Sequence, residues 1–233
     1  MQSNVGASVA ADAEALRRMG MMPGQELPKK ALPALLHSLA HDLAQPLTTV
    51  HCFLELVAQR KPGAASGPTE LRNIALQVDR AIAIAKGISA LTSDGGAADN
   101  SAVALDALLD EIFDNFGVLV HTGFLTFERL DTAGIQLVGN PALRKGLIIV
   151  LTKLAGQSTS AIRITVAGDL AEGRCYVDFS WRSNDSSRVP AQTAEAIFAG
   201  DQSLLRELLQ EAGAELAECG NVAALSISAP VAQ

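Results

Sequence analysis

The stretch of sequence that decides the fold is LHSLAHDLAQPLTTVHCFLELV, residues 36–57. Its apolar residues recur at three-and-four spacing, which is typical of a helix that packs one face against a partner helix. One core position of this heptad pattern is taken by Ala40, Leu47 and Leu54, and the other by Leu36, Leu43, Val50 and Val57. The pattern therefore predicts one long helix with a buried seam.

A second helix is predicted after KPGAASGP, residues 61–68, because this cluster of Pro, Gly and Ser ends the first one. Its seam alternates between two sets of apolar residues: Leu71, Val78 and Ala85, and Ile74, Ala81 and Ile88. Ile82 and Ile84 widen the stripe beyond a two-stranded contact. We therefore expect an antiparallel helical hairpin over residues 31–92 that pairs with a second copy into a four-helix bundle, so that the protein is a homodimer.

Two other regions flank this hairpin. Residues 1–30 mix Ala, Gly, Ser and Met around one short helical stretch near residues 12–19, which predicts a flexible N-terminal extension. The polar, Gly-rich stretch over residues 92–101 ends the hairpin, and a second domain is predicted over residues 102–233.

The second domain mixes helical and strand periods. Its first helix has an apolar face made of Leu105, Leu108, Leu109, Ile112 and Phe116, and strands follow near residues 124–130 and 135–138. In the next helix Asn140 is the predicted N-cap, Pro141 takes the first helical position and Gly156 is the predicted stop. Its predicted buried face consists of Leu143, Leu147, Val150, Leu151 and Leu154.

The rest of this domain is predicted to contain two hairpins and a helix. Apolar residues alternate over residues 162–166 and 177–181, with residues 169–173 as the connecting loop. Asp201 is the predicted N-cap of a last helix, Gly213 ends it, and Gly220-Asn221 joins two final strands. The fold class is therefore α+β, with helices on one side of an antiparallel sheet.

Composition excludes several classes of protein. The 233 residues carry 18 basic and 25 acidic side chains, and a net charge of −7 argues against a nucleic-acid partner. No apolar run approaches the roughly 20 residues that span a bilayer, and no export signal is evident, so we expect no membrane partner and a cytoplasmic location. Three widely spaced cysteines predict neither a disulfide framework nor a zinc site.

The strongest candidate for chemistry is His41, which falls one position beyond the core residue Ala40 and is predicted to be the exposed histidine of the hairpin. A neutral imidazole nitrogen can accept a phosphoryl group if it is accessible to in-line approach. Asp42 is expected to fix the ring tautomer or remove a proton, and Gln45 to position the incoming group. Pro46 removes a main-chain hydrogen bond and should bend the helix here.

The segment His41-Asp42-x-x-Gln45-Pro46-Leu47-Thr48 resembles the phosphoacceptor motif of bacterial two-component sensor histidine kinases. The resemblance extends through the hairpin and, more weakly, through residues 103–230, which look like the ATP-binding domain of that family. It implies that His41 is the phosphoacceptor, with Asp42, Gln45 and Thr48 as the accompanying site residues. A competing reading, in which His37 and His41 bind a metal, lacks a third ligand.

The sequence departs from the family where ATP would bind. The positions aligned with the family's magnesium-holding asparagines are Val150 and Leu154, and hydrocarbon cannot ligate a hard cation. No glycine occurs in residues 174–199 or 201–212, where the family has glycine-rich boxes, and Asn184-Asp185 only weakly echoes the family's adenine motif. We therefore expect a degenerate nucleotide site and no cofactor.

Together these features predict a histidine phosphotransfer protein that passes phosphoryl groups between the aspartates of response-regulator receiver domains through His41. Magnesium would be supplied by the receiver. The first alternative is a non-catalytic scaffold that binds or sequesters a response regulator. The second, less favoured alternative is an active histidine kinase with an unusual nucleotide pocket.

Overall fold

The computed structural model describes residues 31–59, 67–92, 101–157, 161–183, 192–218 and 223–232. The predictions for the N-terminal extension, for most of the break over residues 61–68, for Asn184-Asp185 and for the Gly220-Asn221 turn lie outside these residues. None of the helices in the described ranges is long and apolar enough to cross a membrane.

The hairpin consists of α1, Ala31–Ala58, and α2, Pro68–Thr92, which pack against each other. The buried residues of α1 are Ala31, Leu35, Leu39, Asp42 and Pro46. This face differs from the predicted seam, since Ala40 is exposed and the side chains of Leu47 and Leu54 are 50% and 52% exposed in the single chain. The first half of α1 packs against the second domain through a face that the prediction did not identify, whereas the predicted seam, expected to be covered by a second copy, lies exposed in the single chain.

The second domain begins with β1, Ala102–Ala104, α3, Leu105–Asp114, α4, Gly117–His121, β2, Leu125–Leu130, and β3, Gln136–Val138. It continues with α5, Pro141–Gln157, β4, Ile162–Ala171, and β5, Arg174–Ser183. The last elements are α6, Ala194–Ile197, α7, Gln202–Gln210, β6, Glu215–Glu218, and β7, Ala224–Pro230. The α+β class is confirmed.

The main sheet has five strands in the order β2-β4-β5-β7-β6, and β1 pairs with β3 in a separate small sheet. All neighbouring strands of the main sheet are antiparallel except β2 and β4, which run parallel. The expectation of a wholly antiparallel sheet was wrong, because the chain crosses over through α5 between β2 and β4 and a crossover returns the chain in the same direction.

The turn between β4 and β5 is tighter than predicted. The five-residue loop expected over residues 169–173 is a two-residue turn, Glu172-Gly173, with φ of 53° and 76°. Two successive residues with positive φ are typical of the hairpin turn whose twist matches that of the strands. The pairing therefore continues to Ala171 and Arg174.

Helix α5 lies at the centre of the molecule. Its predicted N-cap is confirmed, since the side-chain Oδ1 of Asn140 accepts a 2.8 Å hydrogen bond from the Ala142 N–H. Gly156 does not end the helix and is buried within it, where a Cβ would lie 3.3 Å from Cδ1 of Ile84 on α2. The glycine therefore allows α5 to approach α2 closely.

One hydrophobic core joins the hairpin to the second domain. It contains Leu35 and Leu39 of α1 and Ala83 and Leu91 of α2 together with the buried residues of α5 and the sheet. The apolar face predicted for α3 is buried throughout, as expected. The hairpin is thus packed onto the α/β layer as well as onto itself.

Candidate functional site

His41 lies on the outer side of α1, with 73% of its side chain exposed. Exposure does not distinguish it from the other histidines, because His37, His51 and His121 are exposed too, and the side chain of His51 is 72% exposed. The prediction that His41 alone points outward was therefore wrong. Its surroundings, rather than its exposure, set it apart.

Helix α1 continues through Pro46, which is buried. Proline has no N–H, so the carbonyl of Asp42 lacks its usual donor four residues on. On the exposed side, Thr48 Oγ1 donates a 2.8 Å hydrogen bond to the Ala44 carbonyl, while the Gln45 side chain is open to solvent. Such hydroxyl-to-carbonyl bonds are common where a helix bends.

The carboxylate of Asp42 faces the interior, although its neighbour His41 faces solvent. Its Oδ1 accepts a 2.7 Å hydrogen bond from Nε2 of Gln157, and its Oδ2 lies 2.8 Å from Nζ of Lys153. Oδ2 makes no hydrogen bond, so this second contact is an ion pair. Nδ1 of His41 is 3.9 Å from Oδ1, beyond hydrogen-bond reach.

Lys153 of α5 gathers three polar partners although only 3% of its side chain is exposed. Nζ lies 2.5 Å from Oδ2 of Asp201 and donates a 2.6 Å hydrogen bond to Oγ of Ser38. Ser38 Oγ in turn donates a 2.7 Å hydrogen bond to Oδ2 of Asp201. We call Ser38, Asp42, Lys153, Gln157 and Asp201 the Lys153 cluster; it joins α1 to α5 and to the start of α7.

This arrangement corrects the role predicted for Asp201. The residue precedes α7 as expected, but its side chain makes no capping hydrogen bond. The carboxylate is engaged by Lys153 and Ser38 instead, since a buried ammonium requires a charged partner.

Sequence reasoning overlooked Lys153 and Ser38. Lys153 is the one ionic residue in the run LIIVLTKLA, residues 147–155, and a lone charge in a buried helix signals a buried partner. Ser38 and Asp42 are four residues apart and therefore share one face of α1.

A second cation fastens α2 to the end of α5. The Arg80 guanidinium donates a hydrogen bond to the carbonyl of Gly156 and lies 5.7 Å from the centroid of the Phe124 ring. Burial lowers the pKa of Arg80 from its ordinary value. The charge sits at the carboxyl end of α5, where the helix dipole favours a cation.

The residues of α5 do not fit a magnesium-nucleotide complex. Val150 and Leu154 are fully buried in the core. The polar side chains of α5 are Arg144, Lys145, Thr152, Lys153 and Gln157, among which there is no carboxylate. Cations repel Mg²⁺, which prefers carboxylate and carbonyl oxygens. Across the described ranges, no three His, Cys, Asp or Glu side chains are grouped so as to hold a metal ion.

No protein-family model matches the chain, and no curated protein matches its sequence. Several solved structures do match its fold. A bacterial phosphotransferase aligns over 87% of this chain and 97% of its own, with 15% identity and a TM-score of 0.52.

Two histidine kinases align less well. Acinetobacter baumannii histidine kinase AdeS covers 83% of this chain and 98% of its own at 10% identity, with a TM-score of 0.46. Histidine kinase ThkA, solved in complex with the response regulator protein TrrA, covers 99% of this chain and 68% of its own at 14% identity, with a TM-score of 0.48. At such identities the likeness concerns the fold. The chain, in which a helical hairpin precedes an α/β layer, is similar in fold to the solved bacterial phosphotransferase.

Proposed function

We propose that this protein is a histidine phosphotransfer protein of a two-component phosphorelay, with His41 as the phosphoacceptor. The observation that carries the proposal is the exposed imidazole of His41 on a hairpin helix, directly before a buried carboxylate and one turn before Gln45 and Pro46. The likeness in fold to a solved bacterial phosphotransferase supports it.

The chemistry is an exchange of the phosphoryl group between two partners. A neutral ring nitrogen of His41 attacks the phosphorus of an aspartyl phosphate on a receiver domain, the bond to the aspartate oxygen breaks, and the aspartate leaves as a carboxylate. A second receiver aspartate then takes the group from the imidazole in the reverse sense. Gln45 and Thr48 lie on the exposed side near His41, where they would meet the incoming receiver.

The reaction uses no ATP. The cationic and apolar side chains of α5 do not fit a magnesium-nucleotide complex, which supports a protein as the donor of the phosphoryl group. Magnesium is supplied by the receiver. The setting for such an exchange is the cytoplasm.

The exposed apolar side chains of the hairpin favour a homodimer. Leu47 and Leu54 of α1 and Leu71, Val78 and Ile82 of α2 are between 38% and 56% exposed in the single chain. We call these five residues the hairpin stripe. Two copies that join their stripes form a four-helix bundle, with both His41 side chains on its outside.

The test is transfer of label from phosphorylated receiver domains of the same genome. We expect acid-labile, base-stable label on the wild-type protein and none on His41→Gln, with helicity and dimer mass unchanged because His41 makes no buried contact. His51→Gln is the matched control, since its side chain is exposed to the same extent, and it should label normally.

Label on His41→Gln would remove His41 as the phosphoacceptor. A wild-type protein that binds receivers without taking label would support the scaffold alternative, which the inward orientation of Asp42 favours.

A further inference from the structure

The turn of α1 that follows His41 lacks one of its main-chain hydrogen bonds. Pro46 leaves the carbonyl of Asp42 without its main-chain donor. Pro46 is also the last buried residue of α1, and the 13 residues from 47 to 59 are all exposed or half-buried in the single chain. The His41 turn therefore depends on side-chain contacts made at or before Pro46.

The Lys153 cluster supplies those contacts. Asp42 is held by Lys153 and Gln157, and Ser38, one turn earlier, is held by Lys153. The two side chains that hold them, Lys153 and Gln157, both extend from α5. A buried ion pair with two supporting hydrogen bonds fixes one orientation of the groups that it joins.

We propose that Lys153 is a positioning residue for phosphoryl transfer at His41. By holding Asp42 against α5, it fixes the turn that presents the imidazole to the receiver. The α/β layer then contributes a rigid support for the phosphoacceptor helix in place of a nucleotide. This inference rests on the proposed function, because it assigns a role within that same transfer.

In-line transfer between two proteins is sensitive to placement, and a displacement of about 1 Å costs on the order of 100-fold in rate. A loosened turn should lower the rate within the complex and leave docking intact, because the receiver meets the outer surface of α1. The maximal rate at saturating receiver thus separates positioning from binding.

The experiment compares variants of the full-length protein in single-turnover transfer from a phosphorylated receiver, over a range of receiver concentrations. Lys153→Met removes the ammonium and keeps the length of the side chain. Gln157→Met removes the hydrogen-bond donor to Asp42 without changing a charge, and it replaces Lys153→Met as the test if that variant fails to fold. Lys145→Met is the matched control, since it removes a lysine from the same helix outside the cluster.

A fourth variant separates positioning from stability. Asp201→Asn weakens the cluster on the side of α7 but keeps the contact between Lys153 and Asp42. Both Asp201→Asn and Lys153→Met should lower the stability of the fold. Only Lys153→Met removes the ammonium group that contacts Asp42.

We expect Lys153→Met to lower the maximal rate by about tenfold or more, with the receiver concentration at half-maximal rate unchanged, and Gln157→Met to act in the same direction. Lys145→Met should match the wild type. Asp201→Asn should lower the thermal midpoint but reduce the maximal rate by less than about threefold. Amide exchange at residues 42–45 should be faster in Lys153→Met than in Asp201→Asn.

Two results overturn the inference while the proposed function stands. The first is a maximal rate in Lys153→Met and Gln157→Met equal to that of the wild type. The second is a loss in Asp201→Asn as large as that in Lys153→Met, which would make the cluster a stabilising contact only. A wild-type protein that takes no label from receivers removes both the function and this role of Lys153.

Discussion

Replacing Leu54 by Glu is expected to convert the proposed homodimer into a monomer at micromolar concentration. Leu54 belongs to the hairpin stripe and is 52% exposed in the single chain. Complete burial of a leucine yields about 1.5–3 kcal/mol, so the exposed half offers about 1 kcal/mol to the interface. A symmetric dimer buries this side chain twice, which amounts to about 2 kcal/mol, or about 30-fold in the dissociation constant.

The glutamate adds a second effect. Two carboxylates, one from each copy, would be brought into an apolar interface without a partner, which costs further free energy. We therefore expect the dissociation constant to rise by about 100-fold or more. Because Leu54 makes little contact within its own chain, the helicity of the monomer should be preserved.

Sedimentation velocity over a range of protein concentrations measures this shift directly. Leu170→Glu is the matched control, because Leu170 is 56% exposed but lies on β4, away from the hairpin, and this variant should remain dimeric. A monomeric wild-type protein, or a Leu54→Glu protein that stays dimeric at the same concentrations, would refute this account of the hairpin stripe.

Four further outcomes are expected. Titration calorimetry with ATP and magnesium should give no binding in the low micromolar range, since α5 offers no carboxylate and its Val150 and Leu154 are buried hydrocarbon. Asp42→Asn should lower stability by about 1.5–3 kcal/mol in chemical denaturation, because the buried contact with Lys153 loses its charge while Asp201 still compensates the ammonium, and should slow transfer by about tenfold or more, because the turn that carries His41 loses a support. Iodoacetamide at about pH 8 should modify exposed Cys52 well before Cys175, because burial raises the pKa of the Cys175 thiol to about 11 and leaves only about one thiolate per thousand, as peptide mapping would show. Gly87→Ala should cost about 1–3 kcal/mol in urea unfolding, because the new methyl group would overlap the Thr152 hydroxyl.

Periodicity in the sequence located the helices of the hairpin but identified only one of the two apolar faces of α1. Leu47 and Leu54 were expected in the interface between two copies, whereas the face that the single chain buries contains Leu35 and Leu39. The reason is that α1 is apolar on two sides. One side packs on α5 and α7 of the same chain, whereas the side with the heptad pattern remains available to another helix. The spacing of apolar residues alone does not show which of the two sides is buried within the single chain.

Local rules succeeded where the competing contacts were also local. Asn140 caps α5 as predicted, because its donor is two residues away. Asp201 fits the same capping rule, but its carboxylate instead contacts Lys153, 48 positions earlier, and Ser38, 163 positions earlier. The prediction failed because a buried ammonium competes more strongly for a carboxylate than a helix N–H does.

The orientation predicted for the phosphoacceptor segment was correct only in part. His41 is exposed as expected, but the other three histidines of the chain are exposed as well. Asp42, its sequence neighbour, is buried because consecutive helix positions are about 100° apart and only one of them can face α5. The motif therefore specifies residue types, while the second domain determines which side each residue faces.

The core that the hairpin shares with the α/β layer has a consequence for how this sequence can diverge. Under the proposed function, exposed positions of α1 outside the site residues can vary toward new receivers, since substitutions there disturb no buried contact. The inner side cannot vary in this way, because Asp42 and Lys153 have to change together. A hairpin transplanted from a related protein would bring the partner specificity of its own outer surface. Its inner face would not be complementary to α5 of this chain. We therefore expect the partner specificity of this chain to change through substitutions at surface positions of α1. Exchange of whole hairpins should yield unstable hybrid proteins.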